Sequence, residues 1–155
     1  MDVVNIKGEK LGYIKDIIID FNKKNIIGFK VTPYKLLKKN FNVMKEDILY
    51  FDKSMVINKI NNEEYLKFSD IKKLYVIDKN SNILGMVKDL VFSEKDLEIK
   101  ALIIARNSIS LLTERKVLLI KNMILGEKNI LYFNNDDKYE LSCIPNINMM
   151  VIGEK

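Results

Sequence analysis

Two aspartates in matching surroundings are the residues that could best support chemistry in this sequence. Asp16 and Asp89 each follow a lysine inside an otherwise apolar stretch. Two carboxylates can act as general acid and general base, although only where both face one substrate. The chain has no histidine, and Cys143 is its single cysteine. Imidazole catalysis, the usual zinc ligands and a histidine-activated thiol are therefore excluded.

The two aspartates also have a structural interpretation, which we prefer. Each follows a glycine, Gly12 or Gly85, by four residues. Glycine inside a strand marks a bulge or a sharp bend, and a buried carboxylate can accept hydrogen bonds from the amides that a bulge leaves unpaired. We therefore expect Gly12, Asp16, Gly85 and Asp89 to maintain shape, and we expect the protein not to be an enzyme.

The sequence contains no recognisable pattern for a metal ion or a nucleotide. The run Asn135-Asp136-Asp137 and the pair Asp16 and Asp20 carry oxygen donors, but neither has the spaced ligands and central glycine of a calcium loop. The glycines are too scattered for a phosphate-binding loop. We expect no catalytic residue, no metal site and no cofactor.

Positive charge is concentrated in the first part of the chain. Residues 1–60 contain twelve lysines and seven acidic residues, whereas basic and acidic residues are equal in number over 61–155. The whole excess of five positive charges therefore belongs to the first part. An acidic partner should meet this part first. The alternative, which we favour, is that the use of lysine over arginine reflects an AT-rich genome, as the abundance of asparagine and isoleucine also suggests.

The segment 34–41 combines basic, aromatic and leucine side chains and is the best candidate for binding. It could grip phosphates and stack on bases, or it could seat an acidic peptide or a lipid headgroup. The competing interpretation, which we favour, is that Leu36 and Leu37 plug one end of a barrel and the lysines are solvated around them. The candidate partner-binding residues are Tyr34, Lys35, Lys38, Lys39 and Phe41.

The apolar residues predict short strands and no membrane span. They alternate with period two or form short runs between polar turns, which is typical of strands. The longest uncharged runs, such as residues 101–105, are far too short to cross a bilayer. The first residues lack the layout of a signal peptide. We expect a soluble cytoplasmic protein, with peripheral membrane contact left open.

An internal repeat organises the chain. The stretch from Lys10 to Asp20 returns 73 residues later as Ile83 to Ser93. This constant spacing predicts two related β units, at 1–60 and 74–145, the second with an extra strand at 139–144. Residues 61–73 form a connector, in which we predict short helical turns capped by Asn62 and Ser69. Residues 146–155 form a C-terminal tail.

The repeated motif resembles a known family. A short strand and a turn precede Leu-Gly-x-x-Lys-Asp, three apolar residues and a returning strand, and this order is similar to that of the PRC-barrel. The segment Val43 to Ile48 is similar to the family's apolar-x-x-Glu-Asp-Ile turn. The family includes the H subunit of photosynthetic reaction centres, the C-terminal half of the ribosome maturation factor, and stand-alone proteins of spore-forming bacteria.

The resemblance implies an all-β fold of two tandem small PRC-type β-barrels. It also implies a non-enzymatic adaptor or scaffold that binds another protein in a cytoplasmic or envelope-associated assembly, linked to sporulation or division. The alternative is an RNA- or ribosome-binding accessory protein that uses the basic first repeat. A homodimer is a further expectation that the sequence leaves open.

Overall fold

The computed structural model describes residues 1–106 and 115–133. The chain divides into two compact units, the first made of Met1–Asp20 and Ile26–Asp70, the second of Phe21–Asn25 and Ile71–Lys155. Each unit is built around a six-stranded sheet. The prediction of an all-β fold that is built twice is confirmed.

The first sheet is formed by short strands whose side chains alternate between the interior and solvent. Its strands are β1 (Asp2–Asn5), β2 (Lys10–Asp20), β3 (Asn25–Pro33), β4 (Phe41–Met44), β5 (Ile48–Phe51) and β6 (Ser54–Ile57). Their order in the sheet is β4-β3-β2-β1-β6-β5, with β1 parallel to β6. A single 3₁₀ turn, Lys45–Asp47, joins β4 to β5.

The second sheet repeats this arrangement. Its strands are β7 (Tyr75–Ile77), β8 (Ile83–Phe92), β9 (Ile99–Ala105), β10 (Arg115–Leu119), β11 (Met123–Leu125) and β12 (Asn129–Tyr132). Their order is β10-β9-β8-β7-β12-β11, and β7 runs parallel to β12. The 3₁₀ turn Ile120–Asn122 occupies the place of the turn in the first unit. The two topologies are therefore identical.

Strand register is also the same in the two units. Val3 pairs with Gly12, and Val76 pairs with Gly85. In both units the next pair skips one residue of the longer strand, so a bulge lies directly before the glycine. The repeated motif therefore produces the same irregularity twice.

Each unit has its own apolar core. Alternation of buried and half-buried side chains is clearest in β6 and β12. β6 buries Met55 and Ile57, and β12 buries Ile130 and Tyr132. Side chains between them are half-buried, as the two-residue period of a strand requires. These cores position the loops at the ends of the sheets.

The start of the connector is extended instead of helical. Asn61 forms a β-bridge with Asn42 of β4 through two backbone hydrogen bonds of 2.6 and 2.8 Å. Lys67 forms a second bridge with Ile18 of β2. The turn expected after Asn62 is therefore absent, because this stretch makes its hydrogen bonds to the edges of the first sheet.

One short helical turn, α1 (Phe68–Ile71), does lie in the predicted connector. The carboxylate of Asp70 accepts the backbone N–H of Lys67 at 2.9 Å at its start. The side chain of Ser69 was the predicted cap, but it is the Ser69 backbone N–H that forms a contact there, with Asp16.

Several expectations concern residues outside the described ranges. They are the extra strand at 139–144 with Cys143, the acidic run at 135–137 and the tail at 146–155. Among the helices of residues 1–106 and 115–133, none has the length and apolar character needed to cross a bilayer.

Candidate binding site in the first unit

The loop between β3 and β4, residues 34–40, carries most of the candidate binding residues and is called the basic loop below. Pro33 ends β3 because proline has no N–H to donate to the ladder. The chain re-enters the sheet at Phe41, which pairs with Val31. Both ends of the basic loop are therefore attached to the first sheet.

Tyr34 anchors the start of the basic loop through three contacts. Its backbone N–H donates to the carbonyl oxygen of Leu11 at 3.2 Å. Its ring lies 5.9 Å from that of Tyr13, and its hydroxyl donates to the carboxylate of Asp2. The same carboxylate is paired with the Lys10 ammonium at 2.6 Å. We call Asp2, Lys10 and Tyr34 the polar trio.

Each member of the polar trio has a shifted pKa. The hydrogen bond from Lys10, and next that from Tyr34, lowers the pKa of Asp2, because both stabilise the carboxylate. The hydrogen bond to Asp2 raises the pKa of Lys10, and it also raises the pKa of Tyr34. Near neutral pH the trio therefore comprises a carboxylate, an ammonium and a neutral phenol.

A pocket of about 370 Å³ lies beside the basic loop and is called the lysine-lined pocket. Its lining combines apolar side chains with four lysines. The lining residues are Leu11, Pro33, Phe41, Ile60, Lys10, Lys35, Lys38, Lys39, Glu9 and Asn62. Its volume lies within the range of ligand sites, but half of its lining residues are charged, which is more than such sites usually carry.

The lining is strongly positive. Glu9 is the one acidic residue among the lining residues. Lys10 is neutralised by Asp2. Within the described part of the chain, Lys35, Lys38 and Lys39 form no ion pair with a carboxylate. Their ammonium groups are therefore available to an acidic ligand.

Leu36 and Leu37 do not plug the barrel, so the interpretation that we favoured from the sequence is wrong. Their exposed fractions are 92% and 105%. Leu37 also has a φ of 71°, in the left-handed region that leucine rarely adopts. Neither residue lines the pocket. The physical reason is that the core is already closed by the strands, while the turn of the loop directs both leucines into solvent.

The structure brings four of the five candidate binding residues to one pocket. Lys35, Lys38, Lys39 and Phe41 line it, and Tyr34 fixes the loop beside it. Sequence reasoning missed the contributions of other segments, including Leu11, Ile60 and Asn62. Strand pairing brings 9–11 beside β3, and the Asn42 to Asn61 bridge brings 60–62 beside β4. Only knowledge of these pairings could have identified them.

At both Gly12 and Gly85 another strand's backbone approaches closely, and it approaches closer to Gly12. A Cβ added at Gly12 would lie 2.1 Å from the carbonyl oxygen of Thr32. At Gly85 the corresponding distance, to the carbonyl oxygen of Ala105, is 3.1 Å. The space beside Gly12 therefore admits no side chain, whereas an alanine at Gly85 requires only a small adjustment.

Asp16 and Asp89 are half-buried and bond nearby backbone groups. Each accepts the N–H of the following residue at 2.8 Å, and Asp16 also accepts that of Ser69 at 3.3 Å. These bonds orient local backbone and bring no catalytic partner to either carboxylate. Over residues 1–106 and 115–133, no cluster of three histidine, cysteine, aspartate or glutamate residues could hold a metal ion.

Comparison with known proteins identifies one domain type. A family model described as the PRC-barrel domain matches the chain twice, at residues 1–62 and 63–136. No curated protein matches the chain. The boundary between the two matches and the boundary between the two units both lie within the connector, although Phe21–Asn25 of the first match belongs to the second unit.

Proposed function

The chain belongs to the PRC-barrel family, which accounts for residues 1–136 in two copies, and on this premise we propose that it is a non-enzymatic adaptor that binds a protein partner. The observation that carries the proposal is the lysine-lined pocket of the first unit. It offers four apolar lining residues and three lysine side chains without a carboxylate partner in the described ranges.

The partner that fits this pocket is an acidic segment with one exposed apolar side chain. The volume of about 370 Å³ accommodates such a side chain against Leu11, Phe41 and Ile60. Surface ion pairs are each worth little, on the order of 0–1 kcal/mol. The apolar anchor therefore supplies most of the affinity, and the lysines select for acidic neighbours and accelerate association.

The lining of the pocket supports binding over catalysis. It includes no serine, threonine, cysteine or histidine that could act as a hydroxyl or thiol nucleophile or as an imidazole base, and Glu9 is its one carboxylate. We place the adaptor in the cytoplasm or at the cytoplasmic face of the envelope. Its resemblance to stand-alone proteins of spore-forming bacteria favours an assembly linked to sporulation or division.

RNA binding is the second candidate, and the four lysines of the pocket are the observation that favours it. Single-stranded RNA also needs aromatic faces on which bases stack. Phe41 is buried, and the ring of Tyr34 already lies against Tyr13. Few aromatic faces therefore remain for bases, and we rank a protein partner first.

The test is a selection of random peptides on the chain of residues 1–155, followed by affinity measurements. We expect the selected peptides to share one large apolar residue flanked by aspartate or glutamate. I60E should weaken their binding at least about tenfold, because it places a charge in the apolar lining. The matched control is L49E, since Leu49 is 59% exposed and Ile60 46%, and Leu49 lies outside the pocket.

Charge-reversal variants and salt dependence distinguish a protein partner from an RNA partner. K35E/K38E/K39E should weaken peptide binding by about tenfold or more, because each reversal replaces a weak attraction with a repulsion. K7E/K53E/K59E makes the same change of charge at exposed lysines that do not line the pocket and should weaken binding less. A partner held chiefly by phosphates would lose affinity steeply as salt rises. Peptide binding that is insensitive to I60E would overturn the protein proposal. Displacement of the peptides by an oligouridylate, with a steep salt dependence, would establish RNA as the ligand.

A further inference from the structure

Leu36 and Leu37 form an apolar tip on the basic loop. Both side chains are fully exposed, and neither contributes to the lysine-lined pocket. Singly exposed apolar residues are common on protein surfaces. Two adjacent, fully exposed leucines in the middle of a loop are unusual and suggest an interaction site. The tip therefore has no packing role within the first unit.

The backbone at the tip makes the leucines more unusual. Leu37 has a φ of 71°, a conformation that glycine or asparagine adopts more readily. The polar trio at Tyr34 and the strand pairing of Phe41 fix the two ends of the loop. A leucine at this position is disfavoured by the local backbone, and its exposed side chain gains no packing within the unit to offset that cost.

Basic residues surround the tip. Lys35 precedes the two leucines, and Lys38 and Lys39 follow them. None of the three is paired with a carboxylate within the described part of the chain. The tip also belongs to the part of the sequence that holds the whole excess of positive charge.

We propose that the basic loop docks on an anionic lipid bilayer, with Leu36 and Leu37 inserted at the level of the headgroups and upper acyl chains. Lys35, Lys38 and Lys39 remain among the lipid phosphates, since a lysine can keep its ammonium in water while its stem follows apolar surface. This inference goes beyond the proposed adaptor function, because it adds a second anionic ligand for Lys35, Lys38 and Lys39, for which the bilayer and an acidic peptide compete.

A bilayer fits the tip better than other anionic partners do. Leucine side chains cannot stack on bases as aromatic rings do, which argues against RNA at this point. A bilayer needs no complementary shape, so a convex tip can enter it without a matching groove. Insertion of two leucines or attraction of three lysines is weak by itself, and reversible membrane binding commonly requires two such signals together.

The absence of tryptophan from the chain provides a direct probe. L36W introduces a single fluorophore at the tip, and L49W introduces one at an exposed leucine of β5 as the matched control. With vesicles of equal parts phosphatidylcholine and phosphatidylglycerol, we expect the emission of L36W to shift to shorter wavelength and to be quenched by brominated acyl chains. The L49W emission should not change.

Co-sedimentation with the same vesicles measures how much the two leucines and the three lysines each contribute to membrane binding. L36S/L37G removes the apolar tip and places glycine at the left-handed position, so the fold is retained and the partition coefficient should fall at least about tenfold. K35E/K38E/K39E should reduce it at least as much, whereas K7E/K53E/K59E should have a smaller effect. Vesicles of phosphatidylcholine alone should bind weakly.

The variants also distinguish failure of this inference from failure of the adaptor proposal. I60E should impair peptide binding and leave vesicle binding intact, and L36S/L37G should do the reverse. Unchanged L36W emission, or vesicle binding that is insensitive to L36S/L37G, would overturn the inference. It would also be overturned if L36S/L37G impaired binding of the selected peptides, because the tip would then be part of a protein interface.

Discussion

The two units have the same topology and the same strand register, but their surfaces differ in chemistry. Val3 faces Gly12 and Val76 faces Gly85 at equivalent points of the two sheets. The excess of positive over negative charge, by contrast, is confined to residues 1–60. The comparison teaches that the scaffold needs only its core and turns, so one copy could acquire a binding surface while the topology stayed unchanged.

The turn between the first two strands shows how the scaffold is retained with different residues. Asn5 accepts two backbone N–H groups through its side-chain oxygen, and Asp78 does the same in the second unit. The left-handed position is Gly8 in one turn and Ser81 in the other. A shared geometry therefore tolerates changes in side chain as long as the acceptor remains.

The polar trio, unlike this turn, is not retained in the second unit. Tyr75 occupies the position of Asp2 in the second sheet, and Ile83 occupies that of Lys10. Neither side chain can form the ion pair of the first unit. Anchoring of the β3–β4 loop by the polar trio is therefore a property of one unit, and it accompanies the lysine-lined pocket.

Alanine at the repeated glycine should give the largest difference between the units. G12A should destabilise the first unit by about 4 kcal/mol, because its Cβ would overlap the backbone at Thr32. G85A should cost about 1 kcal/mol, since its nearest contact allows a small shift. Hydrogen exchange of β2 and β8 measures each unit by itself. Equal losses of protection would contradict the difference in backbone approach.

Asn42 provides a second contrast, because Val117 occupies the equivalent position in β10. Asn42 is 1% exposed and donates to the carbonyl oxygen of Glu63 at 2.6 Å. N42D would direct a buried carboxylate at that oxygen and should destabilise the first unit by about 3 kcal/mol.

N42V is the control for this prediction. It adopts the residue of the second unit and removes the side-chain oxygen of Asn42, which has no hydrogen-bond partner. Urea unfolding should show a loss of about 1 kcal/mol or less for N42V. A loss as large as that of N42D would mean that the hydrogen bond to Glu63, and not the buried charge, decides the effect.

The polar trio should make the basic loop sensitive to pH at both extremes. The pKa of Asp2 is lowered from 3.8, so its contribution is present above that value and is lost as pH falls through the folded-state pKa. The pKa values of Lys10 and Tyr34 are raised from 10.5 and 10.0, so their contributions are present below those values and are lost as pH rises.

Amide chemical shifts of residues 34–40 should therefore change at both limits and remain constant between them. D2N should remove the acidic transition, since asparagine does not titrate in this range. The amides of the turn at Asp78 serve as an internal reference, because Asp78 also has a lowered pKa, caused chiefly by its hydrogen bond from Asn82. An acidic transition that persists in D2N would assign it to another carboxylate.

Glycine at the tip should give the smallest effect on stability. L37G relieves the left-handed strain of leucine but increases the freedom of the unfolded chain, and the net gain should be about 1 kcal/mol or less. L36G has no positive φ to relieve and should be neutral or slightly destabilising. Thermal unfolding of L37G and L36G measures both changes in stability. A clear loss of stability in L37G would show that the Leu37 side chain has a packing role.

Much of the fold followed from the sequence because its determinants are local and repeated. The motif around Gly12 recurs around Gly85, so the strands, the turns and the bulge could be inferred twice. The connector was harder to predict. Asn62 and its acidic neighbours favour a helix start by composition, but the hydrogen bonds offered by the edges of β2 and β4 keep the segment extended.

The candidate site was predictable only in part. The basic loop was evident from Lys35, Lys38 and Lys39. The position of Ile60 in the pocket lining was not, because it depends on pairing between residues distant in sequence. The leucine pair was misjudged, because apolar residues in a loop fit a core plug as well as an exposed tip. Only the backbone path of the loop distinguishes these two arrangements.

The central claim is that partner binding resides in the first unit, and amide chemical shift mapping of the chain of residues 1–155 tests it most directly. The titrant is a selected acidic peptide with a single apolar residue. We predict shifts that cluster on the pocket lining and the basic loop, with β7 to β12 unchanged. Shifts centred on β7 to β12, or distributed equally over both units, would contradict the claim.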